Sequence, residues 1–171
     1  PWAYDFIFSN DFTGNIAKNI AGFAKERSMP ELARQPLHKW LNSFTPTPSK
    51  QKVYFFCDEF TNYNDAEIGK KTVLLLDKLG YEVIYQPHAD CGRPQLSKGL
   101  LDDAKLLAEK NINQFAGLIS EETPLVGIEP SAILTFRDEY TSLTRGELQE
   151  KAKKLSENVM TIEEFLAREI D

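Results

Sequence analysis

Two cysteines are the residues of this sequence best suited to chemistry. Cys57 closes the apolar run Val53-Tyr54-Phe55-Phe56, and Cys91 stands in a polar stretch at residues 88–95. Thiolates bind soft metals and clusters, so Cys57 and Cys91 with Asp90, His88 or Glu129 form a candidate metal site. No Cys-x-x-Cys pair is present, which leaves the pattern loose, and two unrelated buried thiols are the competing reading. Gly92-Arg93-Pro94 reads as a tight turn, and Ser97 beyond it as a helix cap. A helix N-terminus there offers free N–H groups and a partial positive charge to an anion or an electron-rich cluster. An ordinary strand-to-helix loop needs the same residues. His38 and His88 are the two histidines, and they lie in different segments. Cys57 or Cys91 with His88 is therefore the one pairing for an activated nucleophile. Gly-rich dinucleotide and phosphate-binding motifs are absent. Arg137-Asp138-Glu139 reads as a solvated face or a local ion pair.

The elements that must position these residues alternate between strand and helix. Residues 53–56 are apolar and β-prone, as a strand buried on both faces should be. Asp65 precedes a helix predicted over 66–79, with Ile68, Thr72, Leu75, Leu76 and Leu79 toward the core and Gly80 ending it. Residues 81–85 form the second strand, and Ser97 caps a helix carrying Leu100, Leu101, Ala104, Leu107 and Ala108. Residues 125–128 are the third strand, and Ser131 opens a helix through Arg137. Helices near 145–158 and 162–170 complete the chain. Ahead of all this, Ile16, Ile20, Phe23 and Ala24 recur at helical spacing, and Pro30 starts a second short helix through Leu41. Thr45-Pro46-Thr47-Pro48-Ser49 separates the two regions as a linker.

This alternation predicts an α/β fold: a parallel sheet with right-handed crossovers and helices on both faces, a Rossmann-like three-layer arrangement preceded by a helical arm. Such sheets bind ligands outside the carboxyl ends of their strands. Cys57-Asp58-Glu59, residues 88–95 and Glu129-Pro130-Ser131 all land there. Both thiols are thus expected at one rim. Helix N-termini aimed at the rim lower a thiol pKa, while Asp58, Asp90 and Glu129 raise it, and the two effects are close.

With 171 residues, one main domain with an appendage is expected. The 42% hydrophobic and 27% charged composition is that of a globular domain. A net charge of −6 argues against a nucleic-acid partner. No apolar run reaches the roughly 20 residues that span a bilayer. Two cysteines make no secreted disulfide framework, so a reducing, cytoplasmic setting is expected. The start Pro1-Trp2-Ala3 suggests a piece of a longer polypeptide.

At the rim residues the sequence resembles the cysteine-rich CCG domain family. That family includes the B subunit of heterodisulfide reductase, the C subunit of anaerobic glycerol-3-phosphate dehydrogenase, and fused FAD-binding and iron–sulfur oxidoreductases of the D-lactate or glycolate dehydrogenase type. Its motif is a Cys, then Cys-Cys-Gly, then Cys-x-x-Cys, with spacers of a few tens of residues. Cys57 matches the first position. Asp90 stands at the first position of the doublet, Cys91 and Gly92 match the rest, and Glu129 and Ala132 occupy the closing positions. The text around them, Phe60-Thr61-Asn62-Tyr63, Gly69, Cys91-Gly92-Arg93-Pro94, Ser97-Lys98-Gly99, Gly127-Ile128-Glu129-Pro130-Ser131 and Arg137-Asp138-Glu139-Tyr140, is similar to the fused flavoproteins.

The resemblance implies a degenerate first repeat that keeps fold and interface. Residues 1–45 are then an arm from an upstream module, 46–143 the CCG-type domain, and 144–171 helices leading to a second repeat. It further implies no cofactor in this fragment, with a 4Fe–4S cluster and FAD in the parent protein. Its partners are other domains of the same polypeptide: the second repeat, a ferredoxin-like module and the FAD module. The parent passes electrons to a membrane-associated acceptor, at the inner face of the membrane. The alternative implication is a cluster- or metal-binding module at Cys57 and Cys91.

Overall fold

A computed structural model of the chain describes residues 2–8 and 10–170; Pro1, Ser9 and Asp171 lie outside the described residues. The arm consists of α1 (Trp2–Phe8) and α2 (Asp11–Ala21). Asn10 caps α2 by accepting a hydrogen bond from the Phe12 N–H. Gly22, at φ 74°, ends it. Ile16 and Ile20 lie on α2 but stand in solvent, as does Phe23 beyond it. No helix begins at Pro30. The segment before Pro36 is irregular, and α3 runs from Leu37 to Leu41 behind Pro36.

The body follows as β1 (Lys52–Phe56), α4 (Glu59–Tyr63), α5 (Ala66–Lys78), β2 (Glu82–Ile84), α6 (Arg93–Ser97), α7 (Leu101–Phe115), β3 (Leu125–Gly127), α8 (Pro130–Ile133), α9 (Glu139–Leu143), α10 (Glu147–Ser156), β4 (Val159–Thr161) and α11 (Ile162–Ile170). The four strands make one sheet in the order β2-β1-β3-β4, and every pairing is parallel. Val53 sits opposite Val83, Phe55 opposite Val126, and Val126 opposite Met160. The three predicted strands are present. β4 is an addition, because the sequence pattern shows only a break between two helices there.

Successive strand residues point to opposite faces, and the core divides accordingly. Phe56, Leu125 and Val159 pack with Ile112, Phe115, Ile133, Phe136 and Leu155. Val53, Phe55, Val126 and Val83 pack with Leu37, Leu41, Val73, Leu76, Ile162 and Phe165. Helices therefore cover both faces, and α3 belongs to the second face even though it precedes the proline linker.

Three further expectations are corrected. α5 buries Ala66, Gly69, Val73 and Leu76, whereas Ile68, Leu75 and Leu79 are exposed. A methyl group on Gly69 would collide with Leu37, so the smallest residue marks the face on which α3 lies. Ser97 caps nothing: it is the last residue of α6, and α7 starts after Leu100. Ser131 likewise lies inside α8, whose cap is Glu129. Among the described residues no helix is long and apolar enough to cross a membrane.

Candidate functional site

The carboxyl edge of the sheet gathers the predicted residues from three loops. β1 ends at Phe56, and the next two residues set the first loop. Cys57 donates its backbone N–H to Nε2 of His88 at 3.1 Å. His88 Nδ1 lies 2.8 Å from the Ala89 carbonyl, which can only accept. The imidazole is therefore the neutral, Nδ1-protonated tautomer, and burial holds its pKa below the usual value. Its ring stacks on Phe56 at 4.2 Å. Asp58 caps α4, accepting from the N–H groups of Phe60 and Thr61 at 2.9 Å and from the Thr61 hydroxyl at 2.6 Å. Burial pushes its carboxyl pKa up in spite of those bonds.

Cys91 anchors the second loop. Its backbone N–H donates to Oε2 of Glu59 at 3.2 Å. Its Sγ donates to Oε1 of the same carboxylate at 3.1 Å, and accepts from the Arg93 N–H at 3.3 Å. Gly92 follows at φ 83° as the residue before α6, a conformation that favours glycine. Behind the loop, Asn111 of α7 is wholly buried. It accepts from the Ala89 N–H at 3.0 Å and donates to the Asp90 carbonyl at 3.0 Å and to the Tyr140 hydroxyl at 2.9 Å. Tyr140 donates its own hydroxyl proton to the Cys91 carbonyl at 2.9 Å. An ion pair of Arg93 with Glu139 ties the same loop to α9.

The third loop is short. β3 ends at Gly127, where a Cβ would sit 2.7 Å from the Ile133 Cβ, so α8 can drop directly onto the strand. Glu129 caps α8 by accepting from the N–H and hydroxyl of Ser131. Ala132 is buried in the same core cluster as Cys91, and Asp90 is exposed.

The two thiols belong to different core clusters. Cys57 packs with the face of α3 and α5, and Cys91 with the face of α7 and α8. Burial, with Asp58 nearby, pushes the Cys57 thiol up to about 12. Burial and Glu59 raise Cys91 further still, and the Arg93 N–H does not offset them. The balance expected between helix ends and acids thus falls to burial and the acids. Both groups are protonated near neutral pH and make poor nucleophiles. Among the described residues no cluster of three or more His, Cys, Asp or Glu is arranged to hold a metal ion. Glu59, Asn111 and Tyr140 do more at this rim than the sequence pattern assigns them. Asn111 carries no sequence signal, since a polar residue in a helix reads as surface.

No family model matches the sequence, and no solved structure matches it. The chain is 30% identical over 169 residues to a D-2-hydroxyglutarate dehydrogenase of Pantoea ananatis, covering 97% of this chain and 16% of that protein. It is 24% identical over 149 residues to the C subunit of anaerobic glycerol-3-phosphate dehydrogenase from Escherichia coli, covering 85% of this chain and 37% of that one. Lactate utilization protein A of Geobacillus thermodenitrificans is 32% identical over 119 residues, covering 67% of this chain and 47% of that one. The chain spans about a sixth of the length of the D-2-hydroxyglutarate dehydrogenases it matches, and its relatives are oxidoreductase-related.

Proposed function

We propose that the chain is a CCG-type repeat of an iron–sulfur flavoprotein that oxidises a 2-hydroxy acid, and that this repeat has lost its cluster and acts as a scaffold on which other modules dock. The observation that carries this reading is the donor set at the rim. A [4Fe–4S] cluster takes about four protein ligands, usually thiolates. Here the motif positions supply two thiols, Cys57 and Cys91, which belong to different core clusters. Ala132 has no donor atom, and the Glu129 carboxylate is committed to a helix cap. These residues do not fit a cluster. Electron transfer, FAD and 4Fe–4S clusters then belong to the parent's other modules: the second repeat, a ferredoxin-like module and the flavin module, with a membrane-associated acceptor as the outlet.

The docking half of the reading draws on exposed apolar residues. Trp2, Phe12 and Ile20 of the arm, and Ile68, Leu75 and Leu79 of α5, stand in solvent. Large exposed apolar surface marks interaction sites. The test is anaerobic reconstitution of the chain with iron and sulfide. Negligible iron after desalting is expected. About four irons per chain, with thiolate-to-iron absorbance lost in Cys91→Ala, would make this repeat an electron-transfer module instead.

A further inference from the structure

We infer that Glu59 takes over the mechanical task of the missing cluster, holding the loop after β1 against the loop after β2. This rests on the cluster-free reading above. A metal centre at such a rim cross-links loops that are distant in sequence. Without one, hydrogen bonds join them: the Cys57 N–H to His88 is one, and Glu59 makes two more. Glu59 and Cys91 are 32 residues apart, and both carboxylate oxygens of Glu59 reach Cys91, one at its N–H and one at its S–H. Cys91 is wholly buried. Its two donors need protein acceptors, because a buried donor without a partner is costly. Among the described residues Glu59 is the acceptor for both.

Local structure aims the side chain. Asp58 caps α4 and fixes its first turn, and Glu59 is the first residue of that turn. Across the rim, Asn111 and Tyr140 hold the carbonyls of Asp90 and Cys91 from behind, so the Cys91 N–H and S–H face forward. The residue in the motif position of a cluster ligand thereby becomes a hydrogen-bond donor. A carboxylate suits this position because it accepts at both oxygens. An amide accepts at one and presents N–H groups to a donor at the other.

The experiment uses the 171-residue chain and its Glu59→Ala, Glu59→Gln, Cys91→Ala and Glu59→Ala/Cys91→Ala variants. Urea unfolding gives the folding equilibrium constant, and the Raman S–H stretch reports the thiol's partner. Bonds to a charged acceptor are worth roughly 10- to 100-fold in that constant. Glu59→Ala should lose about that much and Glu59→Gln less. In the Cys91→Ala background the loss should shrink to the share of the backbone bond. Both single Glu59 variants should move the S–H band of Cys91 to higher frequency, a shift that a remote structural role does not produce. A folding constant for Glu59→Ala within about twofold of the parent, or an unmoved S–H band, overturns the inference. If the parent chain is also iron-free in that case, the proposed function survives. Iron uptake through Cys91 overturns both.

Discussion

The carboxyl edge of the sheet and the N-terminal arm treat misplaced chemistry in opposite ways. At the edge, groups that prefer water are buried and partnered: Asp58 with Thr61, Asn111 with three separate groups, Cys91 with Glu59. On the arm, groups that avoid water are left in it, with Trp2 81%, Phe12 75% and Ile20 82% exposed. The edge is where this fold class places ligands, yet Asp58, Asn111 and Cys91 are satisfied within the chain; the Gln95 Oε1 of α6 is buried there without a hydrogen-bond partner. Beyond that one oxygen, the demand left unmet among the described residues is for apolar contact. That contrast is what the proposed docking role would require.

The largest effect expected on the comparison comes from Asn111→Leu. The change keeps the branched shape but removes two hydrogen bonds to the loop and one to Tyr140, and should destabilise the chain by about 3 kcal/mol in urea unfolding. A cost below about 1 kcal/mol would mean that the edge is not held as described. Gly127→Ala should cost about 1–3 kcal/mol by overpacking against Ile133, measured in the same way, and tests whether α8 must sit directly on β3.

His88 sharpens the picture through pH. Its folded pKa is depressed, so the unfolded chain binds the proton more readily. Stability from neutral His88 is present above its ordinary value of 6.5 and is lost as pH falls below it. His88→Gln should cost about 1 kcal/mol at pH 7 and flatten that acid limb relative to the parent. An unchanged limb would assign the pH dependence to other groups. The smallest effect belongs to the arm. Phe12→Ser and Ile20→Ser should leave the stability of the isolated chain within about 0.5 kcal/mol while weakening the docking proposed above, measured as binding to the separately expressed modules. Losses above about 1 kcal/mol in the isolated chain would make the arm part of its own core and dissolve the contrast.

Much of the fold was legible in the sequence because Val53–Phe56 and Leu125–Val126 are apolar runs, the form that two-sided burial takes. β4 was not, since Val159-Met160-Thr161 is too short to interrupt two strongly periodic helices. α5 misled because it has two apolar faces, and periodicity alone cannot say which one meets the sheet. Gly69, the residue that fits beneath Leu37, held the answer. At the rim, thiols and acids were legible as types, but not that Cys57 and Cys91 join different core clusters. That follows from strand alternation at Phe56, combined with a loop path that spacing does not reveal. The satisfied groups, Glu59 with Cys91 and Asn111 with Tyr140, depend on residues distant in sequence.

The strand order also sets a schedule for the ribosome. β1 lies inside the sheet yet is synthesised first, and β3 arrives 71 residues later, counting from Tyr54 to Leu125. At about 5–20 residues per second, that wait is roughly 4–14 s. During it Phe55 and Phe56, which the finished fold buries and which pair with Val126 and Gly127 of β3, have no strand partner, and parallel pairs of long separation close slowly. Stalled nascent chains long enough to expose β1 but not β3 should cross-link to chaperones through these residues, and chains that expose β4 should not. The central strand is thus the segment of this chain most at risk of aggregation before synthesis is complete.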